Sequence, residues 1–192
     1  MPSLTRKSLF PGGAVAVALV LAQAIAAHAE VVSVGGEGFE LKEVAHILAP
    51  PDKVYAALIA PAQWWSGDHT FSQNAANLSL DAKAGGCFCE TLPGGGSVQH
   101  LTVVYAAPGK MLRLRGTLGP FQSMPGDGVM TFTLTPAADG TDLTMSYAIN
   151  GYLRDGFDDI SKGADEVLAQ QLARLKLFIE TGSPDMRPAS SE

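Results

Sequence analysis

The segment "DDISKGADEVLAQQLARLKLFIETG", Asp158 to Gly182, decides the fold. Ile160, Ala164, Val167, Leu168, Leu172, Leu175 and Ile179 recur at three- and four-residue steps, the spacing that stacks side chains on one face of an α-helix. Asp158 or Asp159 can cap its start, and Gly182 followed by Pro184 closes it. A helix with one apolar stripe gains its stability by laying that stripe on another apolar surface. The rest of the chain has to supply that surface.

It does so as short alternating runs. "FELKEVAHILAP" places Phe39, Leu41, Glu43, Ala45 and Ile47 at strand period, an apolar face with one carboxylate in it. "ANLSLDAKAGG", "CFCETL", "SVQHLTVVYA", "KMLRLRGTL", "GVMTFTLTPA" and "TDLTMSYAING" follow, separated by "AGG", "PGGG", "APG", "PGDG" and "ADG", which are hairpin signals. Between the first run and the others, "PPDKVYAALIAPAQWW" has helical spacing at Val54, Leu58 and Ile59 and is cut by Pro61, so two short helices are expected there. The fold class is α+β. A curved antiparallel sheet of about seven strands is the surface the long C-terminal helix lies against, with two short helices after the first strand, a helix-grip arrangement.

The stretches "ILAPPDKVYAALIAPAQWW", "GGCFCETLPGG", "VVYAAPGKMLRLRG" and "GTDLTMSYAINGY", together with the terminal helix, resemble the START-like (SRPBCC) helix-grip superfamily. The nearest branch groups polyketide cyclase/dehydrase-like proteins with homologues of chaperone-ATPase activators. The resemblance covers most of residues 39–181 and implies a cavity between sheet and helix for an apolar or amphipathic small molecule.

The chain opens with Arg6 and Lys7, an apolar run too short to span a bilayer, and small residues at Ala27 and Ala29. This reads as a signal peptide over residues 1–29 that directs the protein to the periplasm or the medium, with no stable membrane insertion once it is cleaved. Residues 30–38 form a glycine-rich lead-in without a strand or helix signal of their own. The START-like domain takes residues 39–182, and residues 183–192 have the composition of a disordered tail. Cleavage would move the net charge from −6 to −8. An acidic chain without a basic stripe argues against nucleic acid as a partner. The oligomeric state is not legible.

The two cysteines lie in "GGCFCETLPGGG", Gly85 to Gly96. In a strand Cys87 and Cys89 share one face, while Phe88 and Glu90 share the other. Their Cα atoms would be roughly 6.5 Å apart, near the upper limit for a disulfide, although a bulge permitted by the glycines would bring them closer. Reduced or joined, the thiols read as strand residues; a metal site would need further ligands from His46, His69 and His100, and none is assigned. No cofactor is expected.

A hairpin through "PGGG" makes Glu90 and His100 neighbours, facing each other in one register and opposed in the next. They are the candidate acid/base pair. Of Trp64 and Trp65, one is expected in the core or at the cavity rim and the other at the mouth. Arg113 and Arg115 share an outer face, and Phe121 and Met124 sit in a loop that could act as a lid. The expected ligand contacts are Trp65, Phe88, Glu90, His100, Tyr105, Phe121, Tyr147, Leu168 and Leu172. Three functions are compatible with this reading. The first is an exported protein holding a lipid- or polyketide-like molecule. The second is a cyclase, dehydratase or isomerase using Glu90 and His100 without a metal. The third is a packing or partner-binding module with no functional cavity.

Overall fold

The computed structural model describes residues 28–185. Eight strands form one antiparallel sheet: β1 (His28–Gly35), β2 (Gly38–Ile47), β3 (Leu78–Leu80), β4 (Cys87–Thr91), β5 (Ser97–Ala107), β6 (Met111–Arg115), β7 (Gly126–Ala137) and β8 (Gly140–Gly151). Their spatial order is β1-β2-β8-β7-β6-β5-β4-β3. Helix α1 (Pro51–Leu58) and a 3-10 turn (Pro61–Gln63) follow β2, and helix α2 (Asp158–Thr181) ends the domain. Among the described residues no helix is long and apolar enough to cross a membrane.

All seven predicted runs are strands. The eighth strand, β1, occupies the lead-in, where glycines hid the extended signal; its two-residue connection at Gly36–Glu37 folds it back on β2. The expected signal peptide lies outside the described residues except for His28 and Ala29, which begin β1. The expected tail lies outside them from residue 186 onward.

Alternation builds the core. Phe39, Leu41, Ala45 and Ile47 of β2 point inward beside Leu143, Met145, Tyr147 and Ile149 of β8, and Leu112, Leu114, Met130, Phe132 and Leu134 extend the same face. Helix α2 lies against β1 and β2 and buries Leu168, Leu172 and Leu175. Each such side chain is worth about 2 kcal/mol by the area it removes from water. Its C-terminus stops as predicted, with Gly182 at φ 79° donating its N–H to Phe178 O at 2.8 Å. Its start differs from the expectation: Phe157 occupies the cap position, and Asp158 and Asp159 fall in the first turn, where their charge suits the helix dipole. Near its end, Glu180 accepts from the Leu48 backbone N–H and from Lys176, each at 2.9 Å, which ties the helix to the end of β2.

Candidate ligand cavity

The site is organised by a fault in the sheet. Strands β4 and β5 pair Phe88 with Leu101, but the next residue, Cys89, pairs with Gln99. His100 is therefore an extra residue, a β-bulge, and it points inward together with its neighbour Leu101. That places His100 and Glu90 on the inner face at once, with His100 Nε2 3.0 Å from Glu90 Oε2. Across from this bulge, in β4, the Cα atoms of Cys87 and Cys89 are 5.4 Å apart, and the two are joined as a disulfide on the outer face. Gly86, just before them, has no room for a side chain, since a Cβ would lie 1.9 Å from Asp81 O.

Glu90 is buried and held from three sides. The Phe71 backbone N–H donates to Oε2 at 3.1 Å, the Ser72 backbone N–H donates to Oε1 at 2.5 Å, and His100 also donates to Oε2. Burial raises the carboxyl pKa, but the hydrogen bonds from Ser72, Phe71 and His100 outweigh it and hold the group below its ordinary value. Burial dominates at His100 and lowers its pKa, although Glu90 opposes this, so the imidazole is neutral. The ring lies between Phe71 and Phe88, with centroids at 5.9 and 5.1 Å, and its Nδ1 is buried without a partner.

Beside this pair, between sheet and α2, is a cavity of about 570 Å³. Trp65, Phe71, Leu78, Phe88, Phe121 and Tyr147 form most of its apolar wall, and Ile160, Ala164, Val167 and Leu168 present the face of α2. Asp68, His69, Pro120 and Gly163 line it and are exposed, so they mark its mouth. Ile160, Ala164 and Val167 belong to the predicted apolar stripe yet are only half-buried, because they line the cavity instead of packing on the sheet.

Six of the expected contacts meet here: Trp65, Phe88, His100, Phe121, Tyr147 and Leu168. Three do not. Glu90 sits behind His100 under the 71–72 backbone and does not line the cavity. Leu172 is buried one turn farther along α2, in the packed core. Tyr105 is half exposed on the opposite face, because a second bulge at Val104 turns both residues outward. The tryptophans also depart from expectation, since both are buried. Trp64 Nε1 donates to Ala57 O at 2.9 Å, and Trp65 Nε1 donates to His69 O at 3.1 Å. Phe121 is no loose flap; it is buried in a 3-10 turn (Gly119–Ser123) with its ring 5.5 Å from Phe39. Arg113 and Arg115 bond along the outer face, to Thr131 and Asp127. Among the described residues no group of three or more His, Cys, Asp or Glu side chains is placed to hold a metal.

Phe71, in a stretch without periodicity, and Leu78, at the start of the short β3 run, line the cavity without being among the expected contacts. The sequence reading missed the meaning of Glu43. This residue interrupts the inner face of β2, is fully buried, and has no hydrogen-bond partner on either oxygen. Burial, then the nearby charge of Asp165 on α2, pushes the Glu43 carboxyl up to about 8.

A curved sheet closed over a long helix, with an apolar cavity between them, defines a helix-grip ligand-binding module. The chain belongs to the family described as "Polyketide cyclase / dehydrase and lipid transport", which it matches over residues 39–180. No curated protein matches it. Among solved structures, it is similar to a conserved protein of unknown function, EF2215 from Enterococcus faecalis, with TM-score 0.56 and 17% identity over 88% of this chain and 84% of that one. It is also similar to CalU16 from Micromonospora echinospora, with TM-score 0.54 and 18% identity over 83% and 87% of the two chains. A third similar structure is Aha1 from Colwellia psychrerythraea, with TM-score 0.50 and 20% identity over 74% and 97%. At these identities the likeness is one of fold.

Proposed function

We propose that the protein is an exported carrier holding an apolar or amphipathic small molecule, lipid- or polyketide-like, between sheet and α2 in the periplasm or the medium. The observation that carries this reading is the apolar cavity of about 570 Å³, within the size range of small-molecule sites. Export is supported by the amino-terminal pattern and by the Cys87–Cys89 disulfide, which suits an oxidising compartment.

Native mass spectrometry of protein isolated from its own host is expected to show a co-purifying molecule that is lost in a Gly163→Leu variant. Gly163 lines the cavity at its mouth with no atom within 4 Å of an added Cβ, so the Cβ of a leucine there meets no clash and its larger side chain narrows the entrance. An empty wild-type protein, or a ligand indifferent to that substitution, would refute the proposal.

A second reading rests on the Glu90–His100 hydrogen bond beside the cavity, which supplies a positioned neutral imidazole as a base for proton abstraction next to a carbonyl. Turnover of a cyclisable polyketide mimic, abolished by His100→Ala, would decide for it.

A further inference from the structure

We infer that the cavity selects a neutral ligand bearing a hydroxyl, an alcohol or a phenol, whose hydrogen is accepted by His100 Nδ1. This rests on the carrier reading and narrows it. The Glu90 carboxylate already accepts from two backbone N–H groups and is an acceptor only, so the His100 nitrogen 3.0 Å away must be the one that carries the proton. With Nε2 as donor in a neutral ring, Nδ1 keeps a bare lone pair, buried and unmatched.

Every side-chain donor in the rest of the wall is already engaged. Trp65 Nε1 donates to His69 O at 3.1 Å, Thr70 Oγ1 to Gly67 O at 2.7 Å, and the Tyr147 hydroxyl to Gly116 O at 3.4 Å. At the mouth, His69 Nε2 is taken up with Gln170 Oε1 at 2.9 Å. The unmatched buried group of the wall is thus an acceptor, and it asks for a donor on the ligand. A ligand that only accepts, such as an ether or ester, leaves that demand unmet.

Charge narrows the class further. Among the described residues no lysine or arginine lines the cavity, Asp68 stands at its mouth, and the Glu90 carboxylate lies directly behind His100. A carboxylate or phosphate placed inside would be desolvated without a counter-charge and would face two acidic groups. Phe71, which packs against the imidazole at the cavity wall, is 55% exposed.

The test uses three probes of one shape, 2-naphthol, 2-methoxynaphthalene and 2-naphthoate, titrated into the full mature protein and followed by calorimetry. Naphthol is expected to bind about tenfold or more tightly than the methyl ether, the naphthoate weakest, and His100→Phe to erase the naphthol–ether difference. Independently of any variant, ¹⁵N spectra of the wild-type histidine rings should show His100 protonated on Nε2 alone, with the Nδ1 resonance moving when naphthol is added. Equal affinity for naphthol and ether, preference for naphthoate, a preference that survives His100→Phe, or a proton on Nδ1 overturns the hydroxyl inference while leaving the carrier reading in place. Failure of all three probes to bind overturns both.

Discussion

Glu43 offers the sharpest test of the fold's energetics. In the folded protein its carboxyl is pushed up to about 8, from an ordinary value of 4.5, chiefly by burial and then by Asp165. The folded state therefore keeps a proton that the unfolded chain has released, and stability must fall as pH rises between those two values. Full stability is present below 4.5, each pH unit above that removes about 1.4 kcal/mol, and the loss is complete above about 8. Over the whole window this amounts to about 5 kcal/mol; any parting of α2 from β2 that admits water to the carboxylate reduces it to about 2–3 kcal/mol.

Glu43→Gln keeps the shape and removes the titration. Urea denaturation of wild type and variant from pH 4 to 9 should give nearly equal stabilities at the acid end. At pH 8 the variant should be more stable by about 2–5 kcal/mol. The quantity to read is the difference between the two proteins, because other carboxylates, Glu90 and Asp127 among them, shape the acid limb of both. Asp165→Asn should move the same transition to lower pH by removing the neighbouring charge. A difference that does not vary with pH would refute this account of Glu43, as would a glutamine variant that is the less stable protein at pH 8.

Three other outcomes follow from the site. Glu90→Ala leaves the Phe71 and Ser72 amides and the His100 donor without an acceptor and should cost about 3–5 kcal/mol, with faster hydrogen exchange at those two amides as the local signature. Tyr147→Phe removes the acceptor of the Leu118 N–H at 2.9 Å; a loss of about 1–3 kcal/mol in thermal or urea unfolding is expected, together with loosening of the 116–124 loop in hydrogen exchange. Reduction of Cys87–Cys89 opens a ring of only three residues, so chain entropy limits its cost to about 1.5 kcal/mol. Mass measurement after alkylation, with and without reductant, reports the bond, and unfolding in the two states reports the cost.

The sequence carried the parts of the fold that follow from periodicity. Seven strands, the apolar stripe of α2 and its glycine stop were legible because alternation and 3.6-residue spacing express which side chains meet the core. Register was not legible. Whether Glu90 meets His100 and whether Tyr105 faces the ligand depend on single inserted residues in β5, which leave no compositional trace and shift the pleat by one position. Trp65, Phe88, Phe121 and Tyr147 were found at the cavity because large aromatics on an inner face have few other places to go. Phe71 was not, because it is positioned by backbone donors reaching Glu90 rather than by any repeat. Glu43 was visible as the one charge in an apolar face of β2, but only the approach of Asp165 from the helix gives that irregularity its chemistry.

The two bulges in β5 have a consequence for length variation. Each inserts one residue, so the strand changes parity at His100 and changes back at Val104. Residues on either side, Val98 opposite the inward Glu90 and Ala106 opposite the inward Leu112, keep the phase of an uninterrupted strand. Deleting His100 or Val104 alone would turn half of β5 inside out, whereas deleting both together would leave its ends in phase with their neighbours. The sheet could close without either residue. What the first insertion adds is one imidazole delivered to the cavity wall, and the second is the frame correction that lets the rest of the sheet ignore it.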